Sequence, residues 1–106
     1  MRGAPATLSG MIRNVVGGQV KPGVSRAEVG RALQALLDLR VEGVELRMSS
    51  GLDLGPREGN ASSAITVDLD DEQAYRTYGL DEEHSRIRRE LFAPISERVD
   101  RIQFAL

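Results

Sequence analysis

The spacing of apolar residues switches between two periods along this chain, and those switches restrict the fold more than any single motif does. Residues 11–20 (MIRNVVGGQV) are rich in β-branched side chains, and Ile12, Asn14, Val16 and Val20 share one side at a period of two, which predicts a strand. The turn Lys21-Pro22-Gly23 ends it. Ser25 and Glu28 have the spacing of a capping box, in which each side chain accepts from a backbone N–H that the first helical turn leaves free. Val29, Ala32, Leu33, Leu36 and Leu37 then recur at helical spacing, predicting a helix from about Arg26 with one buried face.

The period returns to two over residues 43–49, where Val44, Leu46 and Met48 alternate with Glu45 and Arg47, and again over residues 63–69, where Ile65, Val67 and Leu69 share a side. Residues 50–62 between them carry glycines, a proline and an asparagine, too many positions for a tight hairpin turn. Asp70, with Gln73 as its reciprocal partner, is placed to cap a short helix through Tyr78, which Gly79 breaks. Asp81 caps a further helix; Leu80, His84, Ile87, Leu91 and Ile95 line one side of it, and Arg86, Arg88, Arg89 and Glu90 point elsewhere. Pro94 marks its last turn, and residues 99–104 read as a fourth strand.

The order β-α-β-β-α-α-β is that of a ferredoxin-like α+β sandwich, with helices on one face of an antiparallel sheet. The other face has no cover of its own. Val15, Val44 or Leu46, and Val67 are expected to be exposed there, so a second copy should pack against it, sheet to sheet, as a homodimeric α/β barrel.

Composition removes several classes of function. Fourteen basic residues against sixteen acidic give a net charge of −2 without any Lys/Arg block, so no nucleic-acid footprint is present. With no cysteine and a single histidine, thiolate and multi-imidazole metal sites are excluded, and neither a metal nor a cofactor is expected. The acidic runs around Asp70 and Asp81 are accounted for by helix capping. The glycines at 17, 18, 51 and 55 fit no phosphate-binding pattern. Residues 1–10 are small and polar and contain no signal-peptide core or membrane span, so they read as a disordered leader ahead of a domain over 11–106, in a cytoplasmic protein with no membrane partner.

Chemistry near neutral pH has one unperturbed proton carrier here, His84, and it falls on an apolar stripe. Taken from the residues alone, its role stays open. It is a general base beside a cavity, or it fills the core while bonding a carbonyl or Asn14. Tyr78 is a donor to a substrate oxygen or a packed ring with a wet hydroxyl. Asn14 and Ser63 orient a carbonyl from the strands or are ordinary strand polar residues, and Tyr75 lies at the surface or on a lid. Arg13, Arg47 and Arg101 alternate onto strands, where ion pairing is the expected duty.

The run MIRNVVGGQVKPGVS, the leucine-rich helix, VEGVELRMSSGLDL, REGN, VDLDDEQAYRTY and DEEH, taken in order over residues 11–104, resembles the stress-responsive dimeric α/β-barrel (Dabb) family. The resemblance implies the dimeric ferredoxin-like fold. Within that family, Tyr78 and His84 have the spacing used by olivetolic acid cyclase-type polyketide cyclases. There the resemblance implies a histidine that takes a proton from an activated methylene and a tyrosine that holds the carbonyl during aldol closure of a poly-β-keto chain. The chain departs from the pattern at Asn14 and Ser63, where histidines stand in relatives, and at LDEEH, where an HPxH phrase is reduced. The functions left standing are a cofactor-free cyclase or carbon–carbon lyase acting on an apolar small molecule, a non-catalytic dimeric stress or ligand-binding module, and a cofactor-independent monooxygenase.

Overall fold

A computed structural model describes residues 10–55 and 57–106. The expected leader therefore lies outside the described residues except for Gly10, which is exposed. The elements are β1 (Ile12–Val20), α1 (Arg26–Leu37), β2 (Arg47–Leu52), β3 (Ser63–Leu69), α2 (Glu72–Leu80), α3 (Glu82–Ile87) and β4 (Ser96–Ala105). Between α3 and β4 the helix continues through a π turn (Arg88–Phe92) and a 3-10 turn (Ala93–Ile95). The strands form one antiparallel sheet in the order β2-β3-β1-β4, with the helices on one face, and the fold is ferredoxin-like α+β.

Local chemistry explains most boundaries. Ser25 Oγ accepts from the Glu28 N–H and Glu28 accepts from the Ser25 N–H, so the capping box is fully formed. Val29, Ala32, Leu33 and Leu36 are the buried face of α1. Each large side chain buried this way contributes about 1.5–3 kcal/mol. Val29, Leu33 and Leu36 meet Ile65, Val67, Leu69 and Ile87 in one core, in which Val67 and Leu69 are fully enclosed.

Several boundaries differ from the pattern-based expectation. The second strand begins at Arg47 and runs to Leu52, into the stretch read as loop, because residues 41–44 close a small bridge between Val41 and Val44 at Gly43, whose φ is +79°. Asp71, not Asp70, caps α2, accepting from the Ala74 N–H; Asp70 is spent on an ion pair with Arg47. Gly79 does not break α2, which continues to Leu80 and ends when Asp81 takes up an extended conformation and caps α3. Leu80 is consequently turned out to solvent, 82% exposed, and leaves the apolar stripe.

The outer face of the sheet also differs in its membership. Val67 pairs in register with Asn14 and Met48, so it faces the helices, and Val44 and Leu46 precede β2 and pack against the core. Val15 does lie outside. Its neighbour in register on β4 is Ile102, 59% exposed, and Phe104 stands opposite Arg13. At the same end Arg13 forks onto Asp68 through two bonds of 2.7 and 2.8 Å.

Candidate active site

The layer of helices covers the sheet unevenly, and a cavity of about 330 Å³ is left at the end where β1 finishes and β3 and β4 begin. Asn14, Val16, Ser63, Ile65, Val99 and Arg101 line it from the strands, and Tyr78, His84, Arg88 and Phe92 from the helices. Gly18 is needed here for a steric reason. A Cβ on it would meet the Arg98 carbonyl oxygen at 2.6 Å, just before the irregularity at Gln19/Val20 where the β1–β4 pairing shifts register.

His84 and Tyr78 are brought together by the α2–α3 corner. Asp81 ends one helix and starts the next, and its carboxylate accepts from the His84 N–H at 2.9 Å. The imidazole and phenol rings stack, centroids 4.0 Å apart and planes 19° from parallel. His84 Nδ1 lies 2.8 Å from the Tyr78 carbonyl oxygen. A carbonyl can only accept, so Nδ1 carries the proton and donates. In the neutral ring Nε2 is then the unprotonated nitrogen.

The Tyr78 hydroxyl and His84 Nε2 have no hydrogen-bond partner among the described residues, yet no buried side-chain nitrogen or oxygen there is left unpaired. The Tyr78 hydroxyl and His84 Nε2 must therefore keep access to the cavity they line. Burial lowers the His84 pKa below its ordinary value, an effect opposed by the bond to the Tyr78 carbonyl, and so favours the neutral base. Burial also holds the phenol protonated, with its pKa pushed up to about 12. One ring is ready to accept a proton and its neighbour to donate a hydrogen bond.

Asn14 is buried, and its Oδ1 accepts from Gln103 Nε2 at 2.7 Å, leaving the amide N–H groups for the cavity side. His84 is bonded to the Tyr78 carbonyl and not to Asn14. Ser63 is half-buried at the same cavity, so all four residues singled out from the sequence share one space.

Other cavity residues escaped the sequence pattern. Arg88 was expected to point away and Arg101 to be ion-paired; both line the cavity, and neither has a carboxylate partner among the described residues. The expectation does hold for Arg13 and Arg47, which are ion-paired. Arg88 and Phe92 are placed by the π turn, in which the Ala93 N–H reaches back to the Arg88 carbonyl just before Pro94, a residue with no N–H of its own. Pro94 was the available signal, since a proline there disturbs the helical ladder one turn earlier. Tyr75 also lines the cavity, one turn before Tyr78. Among the described residues no group of three or more His, Asp or Glu side chains could hold a metal ion, and no helix is long and apolar enough to cross a membrane.

Comparison with solved structures supports the same architecture. A dimeric ferredoxin-like protein of unknown function from Thermobifida fusca matches with 27% identity and a TM-score of 0.80, over 99% of this chain and 100% of that one. A Dabb family protein with a ferredoxin-like fold from Mesorhizobium loti matches at 23% identity and TM-score 0.72, over 92% and 97% of the two chains. Hydroxynitrile lyase from Passiflora edulis matches at 15% identity and TM-score 0.77, over 92% and 94%. No protein-family model and no curated protein matches the chain. The class defined by these likenesses is the ferredoxin-like fold, which carries many unrelated activities, so function has to be argued from the cavity.

Proposed function

We propose that this protein is a cofactor-free acid–base enzyme that makes or breaks a carbon–carbon bond next to a carbonyl, and that its reaction is aldol closure of a poly-β-ketone of the olivetolic acid cyclase type. The observation that carries the reading is the fixed tautomer of His84, with a free Nε2 beside a phenol that stays protonated. His84 Nε2 takes a proton from a methylene between two carbonyls, and Tyr78 donates to the oxygen that gains charge as the enolate forms. The enolate carbon attacks a second carbonyl of the same chain, and the resulting alkoxide recovers the proton from the imidazolium. Asn14 and Ser63 orient the carbonyl oxygens. The hydroxynitrile lyase from Passiflora edulis supports the reading to the extent that a lyase shares this fold.

The test is product analysis with a linear triketide or tetraketide. Cyclised product is expected from the wild type and is lost in His84→Ala. Undiminished cyclisation by His84→Ala overturns the assignment of the base. Product formation that requires oxygen identifies a monooxygenase, and the absence of turnover, with or without binding, identifies the non-catalytic module.

The outer sheet face belongs to the same proposal. Val15, Ile102 and Phe104 form an apolar strip on the face that the helices leave bare, and the similar protein from Thermobifida fusca is dimeric. A second copy packed sheet to sheet covers it and leaves the cavity, on the opposite face, untouched. Ile102→Asp is expected to convert a dimer to a monomer in light scattering. A wild-type monomer at micromolar concentration rejects the dimer.

A further inference from the structure

The cavity is electrostatically unlike the rest of the molecule. The chain is acidic overall, with a net charge of −2, yet no aspartate or glutamate lines the cavity, whereas two arginines, Arg88 and Arg101, do. Elsewhere Arg13, Arg47, Arg76, Arg86, Arg89 and Arg98 each lie within ion-pair distance of a carboxylate, while Arg26, Arg31, Arg40 and Arg57, also without an ion pair among the described residues, lie outside the cavity lining. Arg88 and Arg101 have neither an ion pair nor a hydrogen bond among the described residues.

The two guanidinium groups come from different layers of the fold. Arg88 opens the π turn above the sheet, and Arg101 stands on β4, in register with Val16 of β1. Both line the cavity that Tyr78 and His84 also line, Arg88 from the helical layer and Arg101 from the sheet. Two like charges on the wall of one largely apolar space with no carboxylate in its lining are an arrangement that an anionic ligand neutralises, and guanidinium forks match the planar geometry of a carboxylate.

We infer that Arg88 and Arg101 are specificity residues that hold a carboxylate of the substrate, so that the protein acts on a keto acid and not on a neutral ketone. This rests on the acid–base reading of His84 and Tyr78 for its chemistry, but the recognition itself is separable from turnover. A phosphate, such as that of a carrier thioester, offers related charge. The carboxylate is preferred because a cavity of about 330 Å³ accommodates a small acid and little more.

The experiment is calorimetric titration with 2,4-dihydroxybenzoate, with resorcinol, which is the same ring without the acid, and with phenyl phosphate. The acid should bind at least about tenfold more tightly than resorcinol, and Arg88→Gln and Arg101→Gln should each weaken the acid by about tenfold while leaving resorcinol unchanged. Arg88→Lys, which keeps the charge and loses the fork, should recover part of the loss. Both arginines are exposed, so an unchanged melting temperature verifies that each variant folds. Equal affinity for acid and resorcinol, insensitivity to both substitutions, or no binding of any probe at millimolar concentration overturns the inference. Tighter binding of phenyl phosphate overturns the choice of carboxylate. Arginine-dependent acid binding without any turnover rejects the catalytic reading alone, and cyclisation of a neutral polyketone that ignores both arginines rejects this one alone.

Discussion

Along a single sheet face, one end is solid and the other hollow. Towards Ile12 and Leu69 the strands belong to a core shared with Leu33 and Ile87, and Val67 and Leu69 have no exposed surface. Towards Val20, Ser63 and Val99 the same strands line the cavity that holds the Tyr78–His84 pair. The difference lies in the roof. α1 is a regular, well-capped helix with an aliphatic stripe that lends only Val29 and Leu36 to the cavity wall, whereas Tyr78, His84, Arg88 and Phe92 reach it from the α2–α3 corner and the π turn. The densest packing and the proposed chemistry thus lie towards opposite ends of one layer. That division is testable because the same kind of substitution should have opposite consequences at the two ends.

The largest effect is expected at the hollow end and in rate alone. His84→Ala should lower turnover by about 10²- to 10⁴-fold, the usual contribution of a positioned base, and should cost much less in folding because its ring borders a cavity. Chemical denaturation run beside the assay checks both. Tyr78→Phe removes only the hydroxyl and should retain the ring stack, so turnover should fall while the melting temperature holds. A large loss of stability in either variant would make the pair a structural one.

At the solid end the consequence reverses. Leu69→Ala should cost about 2–5 kcal/mol of unfolding free energy, since the side chain is fully enclosed and its removal leaves a void. Val99→Ala at the hollow end should cost under about 1 kcal/mol, because Val99 is already 50% exposed. Similar losses at both positions would break the comparison. Gly18→Ala is the exception at the hollow end. The added Cβ would collide with a backbone carbonyl at 2.6 Å, so the β1–β4 pairing must shift, at a cost of about 1–3 kcal/mol.

How far each end could be read in advance follows from the range of its interactions. The α1 stripe and its capping box are local, and periodicity alone places Val29, Leu33 and Leu36 inward. His84 was legible as an anomaly of type on an apolar stripe and Asn14 as a polar residue on an inward strand position, whereas Ser63, which the register puts on the same side as Ile65, stood out only as a strand polar residue able to reach a carbonyl. The errors fall where two segments compete for one residue. Asp70 looks like a cap until Arg47, twenty-three positions away in sequence, is seen to claim it, leaving Asp71 to cap α2. Gly79 looks like a breaker, but a helix tolerates one glycine near its end when the next residues supply the stop. Arg88 and Arg101 were invisible as a pair because a π turn on one layer and strand register on the other set their approach, and neither has a sequence signature of its own.

The smallest expected effect concerns pH, and it separates the two ends without any substitution. His84 binds its proton less readily when folded, because burial penalises the imidazolium, so its folded pKa lies below the unfolded value near 6.5. Below pH 6.5 the unfolded chain holds more protons than the folded one, and stability falls as pH drops through that window until the folded pKa is passed. Above it the contribution is complete and constant. Activity should follow the same group in the same direction, rising through the depressed pKa and flat at neutral pH, with no alkaline loss from Tyr78 until the pH approaches its value of about 12. The ring proton signals of the lone histidine report this titration directly by NMR, and an apparent pKa at or above 6.5 would show that the imidazole is better solvated or better paired than the hollow end of the sheet requires. In His84→Ala the acid-side stability slope attributable to this group should vanish, while Leu69→Ala should lower the whole curve and leave its slope unchanged.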